Sequence, residues 1–182
     1  MEYQLLSNYG SYFFLESYTD SSTLPPTGTF MLTSMIDCSV GEVTKDVKTY
    51  RTLDGNGWES VASLGQSISE FDLNFVREGT GDVYDGTAGS TTYTKLKKWV
   101  EDASKNGCQN VPKWLVEVIP RGDGSYEGNC YSVYYFKWNG GKRDPETGQE
   151  YSITLKPFGP VIPVTVTRTE SGGTVTWSFA KI

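Results

Sequence analysis

The chain contains no histidine. That removes the side chain most often used as a general base near neutral pH. It also excludes a Ser-His-Asp triad and His-ligated zinc. Cysteine is scarce: Cys38, Cys108 and Cys130 are the only ones. An odd, widely spaced set fits neither a disulfide framework nor a metal site, so all three read as small buried or half-buried thiols. No apolar run approaches the roughly 18 residues that suggest a membrane span. The opening "MEYQLLSNYGSYFFLESYTDSS" has neither the basic nor the apolar region of a signal peptide. Use inside a cell, or export without a cleaved signal, is therefore expected. Basic residues are the minority charge, 16 Lys and Arg against 22 Asp and Glu, for a formal net charge of −6. Phosphate binding needs clustered cations, so this balance argues against a general nucleic-acid binder. It does not exclude a protein that lets nucleic acid slide past without sticking.

What is present points to sheet. The 182 residues fit a single domain with an arm, and 37% hydrophobic against 21% charged content is that of an ordinary globular chain. Twenty glycines, with abundant Thr, Ser, Tyr and Val, favour strands and turns. Residues 1–29 lack periodicity but carry Tyr3, Tyr9, Tyr12, Phe13, Phe14 and Tyr18 ahead of "TLPPTG". They read as an N-terminal arm packed on something, such as a neighbouring copy, with a disordered terminus as the alternative. Residues 30–182 read as one β domain. Within it "FMLTSMIDCSV" and "KDVKTYRTL" are strands, and "DGNG" turns the latter back through "WESVASLGQ" as a hairpin over residues 45–65.

The clearest strand is "SISEFDLNFV". Phe71, Leu73 and Phe75 fall on one face; Glu70, Asp72 and Asn74 fall on the other. That alternation means one buried and one wet face. "REGTGDVYDGTAGSTT" reads as a surface loop, and Asp82, Tyr84 and Asp85 within it are candidate contacts with other subunits, as are Tyr12, Phe13 and Phe14 in the arm. Then the period changes. Tyr93, Leu96, Trp99, Val100 and Ala103 make one helical stripe, ended by Asn106-Gly107. "NGGKRDPETGQ" reads as a turn or loop, and "ESGGT" as the turn of a last hairpin. Eight or nine strands and one helix suggest a mainly β fold, a sandwich or barrel with the helix on its flank.

The candidate chemistry is thin. "DGNGW" starts like a calcium loop, but Trp58 and Gly65 occupy positions that need oxygen ligands. "RGDGS" holds an Arg-Gly-Asp triplet where a hairpin turn is expected. "GTGDVYDGTAG" lacks the Lys-Ser/Thr of a phosphate loop. Glu70 and Asp72 could serve a glycosidase, and the many Tyr and Trp a sugar platform. Ordinary wet-face and core roles explain both sets. No metal, no cofactor and no catalytic activity are expected.

The ordered segments "TYRTLDGNGWESVASLGQSISEFDLNF", "REGTGDVYDGTAGSTTYTKLKKWVEDA", "LVEVIPRGDGSYEGNCY" and "DPETGQEYSITLKPFGPVIPVTVT…TWSFAKI" resemble the tail tube proteins of long-tailed bacteriophages. The resemblance covers roughly residues 30–182 and rests on segment order, because these proteins have no catalytic signature. It implies a β-sandwich-like barrel with one flanking helix. It implies hexameric rings whose sheets join around a channel, stacked into a tube through which DNA passes transiently. Tape measure protein and tail terminator or tip proteins are the implied partners, with no membrane. The implied location is the virion tail, assembled in the host bacterial cytoplasm. Glu70, Asp72 and Asn74 would face the lumen. An acidic wall repels phosphate over about 8–10 Å at physiological salt and so prevents sticking. A tube subunit of a phage-derived bacteriocin or secretion system, or a carbohydrate-binding sandwich, are the alternatives.

Overall fold

The computed structural model describes residues 10–39, 41–51, 59–77, 82–105, 111–144 and 148–182. The first strand, β1 (Tyr12–Ser17), is followed by the two-residue β2 (Thr27–Gly28) and by β3 (Met35–Ser39). Next come β4 (Val43–Arg51), β5 (Glu59–Ile68), β6 (Phe71–Val76) and the helix α1 (Thr92–Lys105). The C-terminal half supplies β7 (Lys113–Pro120), β8 (Tyr126–Asp144), β9 (Gly148–Pro157), β10 (Ile162–Ser171) and β11 (Thr174–Lys181). Among the described residues the fold is mainly β with one helix, and every pairing is antiparallel.

Nine strands form one sheet in the order β2-β11-β10-β8-β9-β6-β3, with β7 also on β8 and β1 on β7. The 19-residue β8 organises it. On one edge, residues 126–133 of β8 pair with β7. Along its other edge, residues 127–130 pair with β10 and residues 133–144 with β9.

Two apolar cores lie on opposite faces of β1 and β7. One gathers Phe13, Leu15, Leu115, Phe71, Leu73, Phe75, Ile153 and Leu155 under the helix residues Tyr93, Leu96 and Trp99. The other gathers Phe14, Trp114, Val116 and Val118 with Val164, Val166, Trp177 and Phe179. This corrects the arm read over residues 1–29. Residues 12–17 are a strand of the sheet, and its two faces feed different cores, so no polar residue alternates with the aromatics. Residues 1–9 lie outside the described set.

The helix forms where the stripe predicts. Thr91 stands at its N-cap, its hydroxyl accepting the Thr94 N–H at 3.3 Å. Glu101 and Lys105 pair at 3.8 Å one turn from the end. The expected stop at Asn106-Gly107 lies outside the described residues.

The last hairpin turns on Gly172 and Gly173, with φ of 57° and 80°, between the paired Ser171 and Thr174. Two successive positive φ values match the right-handed twist of the flanking strands. The Arg-Gly-Asp triplet is part of the β7–β8 turn, where Asp123 accepts the Ser125 N–H at 2.9 Å. The loop expected over residues 139–149 is largely strand: β8 runs on to Asp144 and pairs with β9 as far as Gly148. The "NGG" signal is absorbed as a bulge between Asn139 and Lys142, with Gly141 at φ 121°.

β4 and β5 form a separate two-stranded sheet in sequence continuity with β3 and β6. The predicted hairpin is present, while its "DGNG" tip lies outside the described residues. The Ser69 N–H donates to the Glu42 carbonyl at 3.0 Å, so the two ladders form one long antiparallel ribbon.

Candidate functional site

β6 positions the site. Its Phe71, Leu73 and Phe75 are wholly buried, so Asp72 and Asn74 must face the opposite way. β9 repeats the pattern: Tyr151, Ile153 and Leu155 are buried, while Ser152, Thr154 and Lys156 share the face of Asp72 and Asn74. The face widens on both sides. Asp37 of β3 stands opposite Asn74, and Ser39 opposite Asp72. Lys137 of β8 stands opposite Thr154, and Asn139 opposite Ser152. Four adjacent strands, β3, β6, β9 and β8, thus carry a polar front, while α1 covers their apolar back.

Side chains across this front are held by one another. Asn74 donates its amide to Asp37 at 2.5 Å, and the Thr154 hydroxyl donates to Asp72 at 2.6 Å. Glu70 stands 3.6 Å from the Lys156 ammonium, itself 5.2 Å from the centre of the Phe136 ring. The front is therefore not uniformly acidic: Glu70 has a cation beside it, and Lys137 stands on the same face. Glu70 and Asp72 lie side by side on an open sheet, each engaged with a β9 side chain. Among the described residues no group of three or more potential ligands could hold a metal ion.

The front has two open edges. Among the described residues, β3 pairs only with β6, and β8 beyond Val133 pairs only with β9. Each edge carries a bulge with a large apolar residue: Ile36, 51% exposed, and Phe136, 55% exposed.

The expected subunit contacts are placed differently. Phe13 and Phe14 are 2% and 1% exposed, in their own chain's two cores, and so offer no free surface. Tyr12 packs on Trp177 with ring centres 5.2 Å apart. Asp82 is 1% exposed and points inward, with its backbone carbonyl accepting from Arg77 at 2.5 Å. Tyr84 lies against the helix, donating its hydroxyl to Glu101 beneath Lys97. Desolvation first, and then the hydrogen-bonded Glu101 carboxylate, push its phenol up to about 12. Asp85 is exposed and accepts from the Thr87 hydroxyl and from the Thr87 N–H, the latter at 2.9 Å, which together hold its carboxyl below the usual range.

No protein-family model matches the chain, and no curated protein matches it. Solved structures do. A chain of the six-fold symmetrised cryo-EM structure of the anti-feeding prophage baseplate superposes with a TM-score of 0.53. The match covers 86% of this chain and 91% of that one at 9% identity. A chain from the cryo-EM structure of an extracellular contractile injection system, the PVC sheath-tube complex in its extended state, gives 0.54. There the match covers 85% of this chain and 88% of the other, at 18% identity. The fold is shared with a chain of a prophage baseplate and a chain of a contractile injection system. Identities this low establish the fold alone, and the polar front must argue the rest.

Proposed function

We propose that the chain is a structural, non-catalytic subunit of a phage-tail-like particle, forming hexameric rings that stack into a tube. The observation that carries this is the four-stranded polar front, backed by a core and a helix and open at both edges. A sheet with one dry and one wet face suits the wall of a water-filled channel. Closing such sheets around a ring removes edges that would otherwise aggregate. The β4–β5 ribbon adds a second argument. It extends as its own sheet, with Val43 and Val47 half exposed, and an isolated two-stranded hairpin is marginal in water. A neighbouring ring would cover it. The shared fold with baseplate and sheath-tube chains supports a place in a phage-tail-like particle.

On this wall Asp37, Glu70 and Asp72 offset Lys137 and Lys156, leaving no uncompensated basic stripe, so anionic cargo such as DNA would pass without counterion-release binding. Tape measure and terminator or tip proteins would cap and span the tube. Negative-stain electron microscopy of the concentrated protein tests the assembly. Rings or stacked tubes with a stain-filled channel are expected. Isolated particles at every concentration, together with measurable sugar affinity, would move the chain to the binding-module class.

A further inference from the structure

We propose that the cavity between α1 and the β1–β7 pair is a carboxylate-binding site, in which Lys95 and Lys113 hold a monoanion whose apolar stem lies on Leu15 and Trp99. The cavity measures about 320 Å³, the size of a small-ligand pocket. Among its lining residues Ser17, Thr29 and Ala88 are exposed while Leu15 and Trp99 are buried, so it is a recess with a wet mouth and an apolar floor. Its walls are fixed. The Trp99 indole N–H donates to the Val111 carbonyl at 2.8 Å, tying α1 to the segment that enters β7. Glu16 accepts from the Thr29 and Phe30 amides, tying the opposite wall to β1. A recess held in this way needs little ordering around a ligand.

The charges decide the ligand class. Lys95, Lys98 and Lys113 line the cavity together with Glu16 and Asp102. Lys98 and Asp102 neutralise each other, 2.5 Å apart. Both oxygens of Glu16 are committed to Thr29 and Phe30. Lys95 and Lys113 remain, and neither makes an ion pair among the described residues. The Lys95 ammonium rests 3.8 Å from the centre of the Phe30 ring. Lys113 is half-buried, and burial above all holds its ammonium below the ordinary lysine range; Glu16 and Asp102 oppose that shift and Lys95 adds to it. Two like charges thus share a partly dry recess, an arrangement that a bound anion relieves. The lining carries one net positive charge, which matches a carboxylate better than a phosphate ester of about −1.5 to −2. Leu15, Trp99 and Val111 offer contact to an apolar stem. A small free acid and the acidic side chain of a protein segment both present this chemistry.

The test titrates the full chain as a soluble subunit, so its outcome does not depend on whether rings form. The probes are hexanoate, its uncharged counterpart hexanamide, inorganic phosphate, and the blocked tripeptides Leu-Glu-Leu and Leu-Gln-Leu, read by calorimetry and ligand-observed NMR. A carboxylate probe should bind, its amide counterpart should not, and phosphate should bind more weakly. Lys95→Met and Lys113→Met should each weaken carboxylate binding about tenfold, while Lys113→Arg keeps most of it. Lys105→Met, at the end of α1 and outside the cavity, should leave binding unchanged. Thermal melting checks that each variant folds. Lysine-dependent binding of Leu-Glu-Leu identifies a protein segment as the source of the carboxylate, and binding of hexanoate alone identifies a free acid. No binding of either carboxylate, binding that survives both methionine variants, amides that bind as well as acids, or phosphate binding more tightly than both acids would each overturn the site.

Discussion

Phe13 and Phe14 are adjacent in sequence and buried in different cores, Phe13 against the helix-covered side of the sheet and Phe14 against Trp177 and Phe179. β1 therefore ties the two halves of the domain together. Truncating either ring leaves a cavity that rigid neighbours cannot fill. Phe13→Ala and Phe14→Ala should each cost about 3–5 kcal/mol, read from denaturant unfolding. A loss under about 1 kcal/mol would return residues 12–17 to the status of a peripheral arm.

Glu16 sits at the end of that strand, 7% exposed. It accepts from the Thr29 N–H at 2.5 Å, the Thr29 hydroxyl at 2.6 Å and the Phe30 N–H at 2.9 Å. It thereby fastens the segment between β2 and β3 to the sheet. Glu16→Ala leaves these donors unpaired and should cost about 2–4 kcal/mol, with Glu16→Gln losing less. Hydrogen exchange at the Thr29 and Phe30 amides should accelerate in the alanine variant.

Burial pushes the Cys130 thiol from its ordinary 9.0 up to about 12. Above pH 9 the unfolded chain gives up this proton while the folded chain keeps it. The group's contribution is thus fully present below pH 9 and is lost as pH rises towards about 12. Melting temperature should fall over that window, less steeply in Cys130→Ala. Burial and the nearby Glu117 also raise the Tyr131 phenol, so part of the alkaline slope should remain. Equal slopes in both proteins would show that Cys130 is not sequestered.

Gly28 lies where β2 meets β11. A Cβ there would stand 2.6 Å from the Phe14 ring and 2.9 Å from Phe179. Gly28→Ala should therefore cost about 1–3 kcal/mol through overpacking, measured by thermal melting against an exposed Gly122→Ala control, where no atom lies within 4 Å.

Elements with one wet face were legible in the sequence, and those without one were not. β6 showed itself because Phe71, Leu73 and Phe75 alternate with Asp72 and Asn74, and α1 because its buried residues repeat at helical spacing. β1 did not, because both of its faces are dry. The end of β8 was hidden by glycines that mark a turn in most chains and a bulge here. Half of the polar front could have been found earlier: Tyr151, Ile153 and Leu155 alternate with Ser152, Thr154 and Lys156 as cleanly as β6 does. Placing Asp37 and Lys137 on the same front required pairings between distant segments, which local periodicity does not carry.

The central claim is that the front built on β6 lines a channel. The most direct measurement is electron microscopy of assembled rings in which Asp72→Cys, in a Cys38→Ser and Cys108→Ser background, carries a maleimide gold cluster. Gold density on the ring axis, inside the channel, is the predicted result. Gold on the outer circumference, with rings otherwise intact, would contradict it.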